Sequence, residues 1–185
     1  MTVLDYIFIG LSIIWVGEFL LFKSRKTEAT DEADGSSFPW ILISVIAVVA
    51  ISLVSREFGI LATEQAGIQT IGVVLVGLGI FLRYWGIMEL GKQFTRDVQV
   101  RDGDKLVSKG PYRILRHPLY TGLFSIVLGF SVYTGSILGV VTALLFFTPL
   151  LLRRMQLEEN MLIGAFGPEY KTWRESRYRL FPFIY

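Results

Sequence analysis

The sequence predicts an all-α, polytopic membrane protein with about five transmembrane helices, its N-terminus outside and its C-terminus in the cytoplasm. Three observations carry that expectation. The chain of 185 residues is 52% hydrophobic, with a mean hydropathy of +0.53, a composition of membrane proteins rather than soluble domains. Its apolar residues gather into stretches close to the roughly 20 residues that cover a bilayer core as a helix. Its lysines and arginines collect in alternate connections.

The long apolar stretches run about Val3–Phe22, Phe38–Phe58, Gly67–Leu90 and Ser136–Leu152, with a shorter one at about Pro118–Tyr133. The first has no basic region before it and closes on Lys23-Ser24-Arg25-Lys26. It therefore reads as a retained span with stop-transfer charges, not as a cleavable signal peptide. Asp31-Glu32-Ala33-Asp34-Gly35-Ser36-Ser37 forms an acidic, turn-rich loop to the second span. Glu64-Gln65-Ala66-Gly67 closes a short external connection to the third. That span carries Gly72, Gly77 and Gly79, which predict close packing of a neighbouring helix through small residues. No strand precedes these glycines, so they do not form a nucleotide loop.

Gly91–His117 is the largest connection. Within it, Val98-Gln99-Val100 and Leu106-Val107 read as short extended pieces around a turn at Asp102-Gly103-Asp104. Thr134-Gly135 breaks the fourth span from the fifth, so the last two spans form a tight helical hairpin. Gln156–Phe166, apolar but acidic at Glu158 and Glu159, reads as a helix leaving the membrane along its interface. Gly167-Pro168 stops it, Glu169–Arg177 starts a second tail helix, and Phe181-Pro182-Phe183 is an apolar stub able to fold back over a site.

Every lysine and arginine except Arg56 and Arg83 lies after the first span, between Lys92 and Arg116, or from Arg153 onward. Five spans put those three regions on one side, which the charge bias makes the cytoplasm. The expected organisation is one domain, 1–185, with two N-terminal spans in 1–66 and a core in 67–185. The chain has no cysteine and one histidine. Disulfides, thiolate metal ligands and a cysteine nucleophile are excluded, and a histidine-based metal site is disfavoured. The basic excess follows from topology, so nucleic acid is not an expected partner.

The chemistry concentrates in Gly110-Pro111-Tyr112-Arg113-Ile114-Leu115-Arg116-His117-Pro118-Leu119-Tyr120-Thr121-Gly122. Pro118 suits the first turn of a helix, which puts the single histidine at its cap, beside the positive end of the helix dipole. Arg116 and His117 also suit the plain role of interfacial anchors. Glu158 and Glu159 are adjacent carboxylates at the end of a span, costly there unless paired or used. Neighbouring helical positions point about 100° apart, so one could face a cavity and the other solvent or a cation. Arg153 and Arg154 stand one turn earlier, within helical pairing range of Glu158. An interfacial charge network would account for the same residues.

Several motifs in order resemble the isoprenylcysteine carboxyl methyltransferase family. They are Leu90-Gly91-Lys92-Gln93-Phe94, Asp102-Gly103-Asp104-Lys105-Leu106-Val107, Gly110-Pro111-Tyr112 and Arg116-His117-Pro118-Leu119-Tyr120. The tail adds Arg154, Glu158-Glu159, Phe166-Gly167, Tyr170, Trp173 and Arg179-Leu180-Phe181-Pro182. The resemblance covers about 70–185; the first two spans carry no signature.

It implies a membrane-embedded enzyme using S-adenosylmethionine, without a metal, the cofactor held on the cytoplasmic side by the last two spans and the tail. Tyr112, His117, Pro118, Leu119, Tyr120, Glu158, Glu159 and Tyr170 then become candidate cofactor residues. A carboxylate could accept from a ribose diol or an ammonium. Arg154, Glu158 and Arg179 become candidate catalytic residues, Arg154 for a forked grip on the acceptor's carboxylate. Arg179, Tyr112 and Tyr170 would close the pocket. The implied acceptor is a prenylcysteine-like or other lipophilic acid reached from the bilayer.

Other readings stay open. A carboxylate acceptor is already ionised at neutral pH and needs no general base. A phospholipid amine N-methyltransferase shares histidine-proline and paired-glutamate features; its amine would need a base, which His117 or a glutamate could provide. A sterol-type, NADPH-dependent membrane reductase shares an arginine-histidine-proline motif. Such enzymes, however, usually carry asparagine at Leu119 and an acid at Leu123. A non-enzymatic membrane protein would leave the motif cluster unexplained.

Overall fold

The computed structural model describes residues 2–22, 37–96, 99–101 and 103–182. Seven α-helices are present among them: α1 Val3–Leu21, α2 Ser37–Glu57, α3 Ala66–Leu90, α4 Pro118–Tyr133, α5 Ile137–Thr142, α6 Thr148–Phe166 and α7 Pro168–Glu175. A π-turn, Ala143–Phe147, joins α5 to α6 without a break. The expected loop Asp31–Ser37, the basic Lys23–Lys26 run, Val98, Asp102 and Phe183 lie wholly or mainly outside the described residues.

Among the described residues, four segments are long and apolar enough to cross a membrane: Val3–Leu21, Phe38–Glu57, Ala66–Gln93 and Ile137–Phe166. α4, at 16 residues, rises about 24 Å and runs beside α3. The expected last span and interfacial helix are thus one continuous helix, Ile137–Phe166. Pro149 explains the π-turn within it. Proline has no N–H and its ring collides with the carbonyl four residues back. The helix widens, and both the backbone N–H and the hydroxyl of Thr148 turn to the Ala143 carbonyl.

α3 and α4 form the spine of the bundle, and a seam of glycines lets them touch. A methyl group on Gly79 would lie 2.6 Å from the Gly122 carbonyl, and one on Gly129 would lie 2.9 Å from the Gly72 carbonyl. Gly77, expected in the same seam, instead faces Leu11 of α1. Gly86, not singled out in the sequence, continues the seam against Leu119.

α1 packs on α3, whereas α2 packs on α4, α5 and α6. The core between them is built from Val48, Val127, Ala143, Phe147, Leu151 and Met155, all essentially buried. At one end, the turn after α2 bridges the α4–α5 turn. There Thr63 N–H donates to the Gly135 carbonyl at 3.0 Å and Ile137 N–H to Leu61 at 2.9 Å. Gly135, with φ +68°, has no room for a side chain beside Thr63.

At the other end the connection 91–117 meets the tail. Arg116 N–H donates to the Tyr178 carbonyl at 2.8 Å, and Tyr178 N–H returns to Ile114 at 2.9 Å. No β-strand occurs among the described residues, so Leu106-Val107 is irregular chain, not part of a ladder. The Phe181 stub does fold back: its ring lies edge-on to Phe124, 5.5 Å away, and Leu180 is buried in the core.

Candidate functional site

Where the connection, α4, α6 and the tail converge, the chain encloses a cavity of about 480 Å³, a size usual for small-molecule sites. It has two ends of different chemistry. One is polar, walled by His117, Tyr120, Tyr112, Arg154, Glu158 and Tyr170. The other is an apolar arm between α1 and α2, walled by Trp15, Val16, Phe19, Ile41, Val45 and Val49. On that arm Val16, Phe19, Leu42 and Ile46 are exposed, so it is open sideways along the bundle.

Local structure explains how the motif reaches the cavity. Gly110, with φ +53°, and Pro111 turn the chain into a short 3₁₀ segment, Gly110–Arg113, that buries Tyr112. Pro118 then starts α4 with His117 as its cap, and the His117 carbonyl accepts from Tyr120 N–H at 3.1 Å and Thr121 N–H at 3.0 Å. His117 and Tyr120 are thereby fixed one turn apart, facing α6.

The adjacent carboxylates of α6 have separated. Glu158 lines the cavity and its Oε2 accepts from the Tyr120 hydroxyl at 2.7 Å. Glu159 is buried behind the wall. Its Oε1 lies 3.1 Å from His117 Nε2, 3.2 Å from Arg116 Nη1 and 3.4 Å from Arg179 Nε. His117 thus stands between two carboxylates, with Nδ1 3.8 Å from Glu158. The adjacent arginines separate in the same way: Arg153 is exposed, whereas Arg154 is buried and lines the cavity. Arg154 Nε donates to the Tyr120 hydroxyl at 3.0 Å, and its Nη2 donates to the Arg96 carbonyl.

Of the expected site residues, the structure brings Tyr112, His117, Leu119, Tyr120, Arg154, Glu158 and Tyr170 to one cavity. Pro118, Glu159 and Arg179 stand behind it. Arg179 holds Glu159 and donates to the Gln156 side chain at 3.0 Å. Sequence reasoning missed the walls contributed by α1 and α2, and it missed Trp173 as a cavity residue. Trp173 stacks on Tyr170 at 5.6 Å, donates to Ser108 at 2.8 Å and lies under Arg177.

The polar end favours neutral phenols. Burial, and then the charge of Glu158, hold the Tyr112 hydroxyl well above its ordinary pKa. Burial, followed by Glu159 and Glu158, does the same for Tyr170. The Tyr170 hydroxyl and the Gln99 amide nitrogen are buried at the cavity with no hydrogen-bond partner among the described residues. Donors left unmatched in this way are costly unless a ligand meets them.

A family model described as phospholipid methyltransferase matches residues 68–169. A probable protein-S-isoprenylcysteine O-methyltransferase of Oryza sativa subsp. indica is 29% identical over 119 residues, covering 63% of this chain and 62% of that protein. The Schizosaccharomyces pombe protein-S-isoprenylcysteine O-methyltransferase is 30% identical, covering 58% of this chain and 47% of its own. The Xenopus laevis enzyme of that name is 31% identical, covering 63% and 41%. The chain therefore spans about three-fifths of the rice relative and less of the others.

A solved eukaryotic intramembrane Ras methyltransferase, isoprenylcysteine carboxyl methyltransferase, superposes with a TM-score of 0.67 at 22% identity. The match covers 98% of this chain and 62% of that one, and it establishes a shared fold. The resemblance read from the motifs is borne out by these relatives.

Proposed function

This chain belongs to the phospholipid methyltransferase family, and from that premise we propose that it is a membrane methyltransferase acting on a lipophilic acid. The favoured acceptor is the carboxylate of a prenylcysteine-like thioether. The observation that carries the reading is one cavity that joins a hydrogen-bonding polar end to an apolar arm open to the side. Such a shape takes a polar methyl donor and a lipid acceptor end to end. The named relatives support the same acceptor class.

S-adenosylmethionine would supply a methyl group activated on a sulfonium. The residues present fit that molecule. Glu158 offers a carboxylate to an ammonium or a diol, Tyr170 and Gln99 offer unmatched donors, and the stacked Tyr170–Trp173 pair offers an aromatic face. Arg154 sits where the polar end meets the apolar arm, with Phe38 of α2 5.9 Å from its guanidinium. There it would grip the acceptor's carboxylate and aim one oxygen at the methyl group.

Nucleophile and sulfonium carry opposite charges that cancel as they react, so positioning and dryness matter more than proton transfer. His117, held by Glu159, stiffens the polar wall. Arg179 contributes indirectly, by supporting Glu159.

The finer topology belongs to the same proposal. α4 makes a fifth span, the N-terminus lies outside, and the polar end faces the cytoplasm. Residues 1–185 act as one domain, with 67–185 as its core. The basic residues of the connection and tail, gathered at the cavity's polar end, support that orientation.

Calorimetric titration of the detergent-purified protein tests the reading. Micromolar binding of S-adenosylmethionine and of its demethylated product, without binding of NADPH, is expected. NADPH binding alone would place the chain with membrane reductases. Methyl transfer to an S-prenylated cysteine, and none to an aminophospholipid in vesicles, separates the acid acceptor from the amine lipid that the family description also admits.

A further inference from the structure

α1 carries no motif and lies outside the residues matched by the family model, yet its Glu18 is fully buried. A carboxylate within an apolar span is expensive and calls for a partner. The partner is Arg83 of α3. Its Nε donates to Glu18 Oε2 at 2.6 Å and its Nη2 pairs with Oε1, a forked, charge-assisted contact. The remaining Nη1 donates to the Leu119 carbonyl at 3.2 Å.

Leu119 is the second residue of α4, between His117 and Tyr120. The Arg83 stem reaches it by crossing Gly122, where a methyl group would sit 2.6 Å from Arg83 Cγ. The glycine closing the motif is therefore room for this arginine. Two further ties hold α1 in place: the Tyr84 hydroxyl donates to the Ile14 carbonyl at 2.7 Å, and Arg96 donates to the Phe22 carbonyl at 2.8 Å. Trp15, Val16 and Phe19, beside Glu18, form one wall of the apolar arm.

Resting on the methyltransferase reading, we propose that Glu18 and Arg83 are positioning residues that lock the α1 wall to the first turn of α4 and so shape the acceptor arm. Arg83 itself reaches the cavity lining, but with each of its three nitrogens engaged its role in this proposal runs through Leu119 and Glu18. A buried ion pair is weak evidence for stability, and an apolar pair of similar volume commonly replaces one without loss. Position and stability can therefore be separated by experiment.

The full chain is assayed as Glu18→Gln and as the double variant Glu18→Leu/Arg83→Met. Both are expected to raise the acceptor KM at least about tenfold and to leave the S-adenosylmethionine Kd within about threefold, the double variant melting near the parent. A folded double variant with the parental acceptor KM would overturn the proposal. A second readout does not depend on turnover. The chain has no cysteine, and Leu21 and Ile114 are 70% and 54% exposed, so Leu21→Cys and Ile114→Cys accept paired spin labels. One narrow distance is expected in the parent and a broadened one in both variants; unchanged distances would also overturn the lock. If the parent transfers no methyl group, the methyltransferase reading fails while the label distances still decide the pair.

Discussion

Tyr120 joins Glu158 to Arg154: the phenol donates a hydrogen bond to the carboxylate at 2.7 Å while its oxygen accepts from Arg154 Nε at 3.0 Å. One hydroxyl thus couples the residue proposed for the methyl donor to the residue proposed for the acceptor. Tyr120→Phe removes both bonds without altering the ring. Hydrogen bonds to charged partners contribute about 1.5–3 kcal/mol, so steady-state assays should show kcat/KM reduced about ten- to hundredfold. A parental value would detach Tyr120 from the chemistry.

Glu158 and Glu159 should respond differently to truncation. Glu158→Ala, at the cavity surface, is expected to weaken S-adenosylmethionine binding in calorimetry while the melting temperature stays near the parent. Glu159→Ala leaves Arg116, Arg179 and His117 without their shared carboxylate. Loss of one partner in a largely buried network costs on the order of 3 kcal/mol, so the second variant should melt well below the first.

The glycine seam gives a packing prediction. Gly79→Ala places a methyl group 2.6 Å from the Gly122 carbonyl, where backbone, not a flexible side chain, must yield. Overpacking of this kind costs about 1–3 kcal/mol. Gly67→Ala, where nothing lies within 4 Å, is the control and should leave thermal unfolding in detergent unchanged.

Tyr112 makes stability sensitive to alkali. Its folded pKa is raised above the ordinary value of 10.0, first by burial and then by Glu158. The folded state therefore holds this proton where the unfolded chain releases it, and the contribution is complete below about pH 10 and lost as pH rises further. The melting temperature should fall as pH rises above about 10, and Tyr112→Phe should flatten that fall.

How much could be read beforehand depended on distance along the chain. The turn at Gly110-Pro111, the cap at His117 and the helix start at Pro118 are local chemistry, legible in neighbouring residues. The motifs also placed Tyr120, Arg154 and Glu158 in one site. What pairs across the bundle was not legible. Glu18 and Arg83 lie 65 residues apart, and Glu18 belongs to a span without a signature. Hydropathy falls at Arg153-Arg154 and suggested the end of a span. Backbone hydrogen bonding does not follow hydropathy, and the helix continues to Phe166. Which of two adjacent glutamates faces the cavity depends on helix rotation, which neighbouring packing sets.

The π-turn sets that rotation. Buried residues recur every fourth position through it, at Gly139, Ala143, Phe147, Leu151, Met155 and Glu159. In a regular α-helix each fourth residue drifts about 40° around the axis, so such a row would spiral out toward lipid. The wider turn spends one extra residue without a full step of rotation and brings the row back into phase. Pro149 thereby acts as a phase shifter, clocking the half of the helix after the turn against the half before it. Regular winding through these five residues would turn Arg154, Glu158 and Glu159 away from Tyr120 and His117 without changing one letter of the motifs.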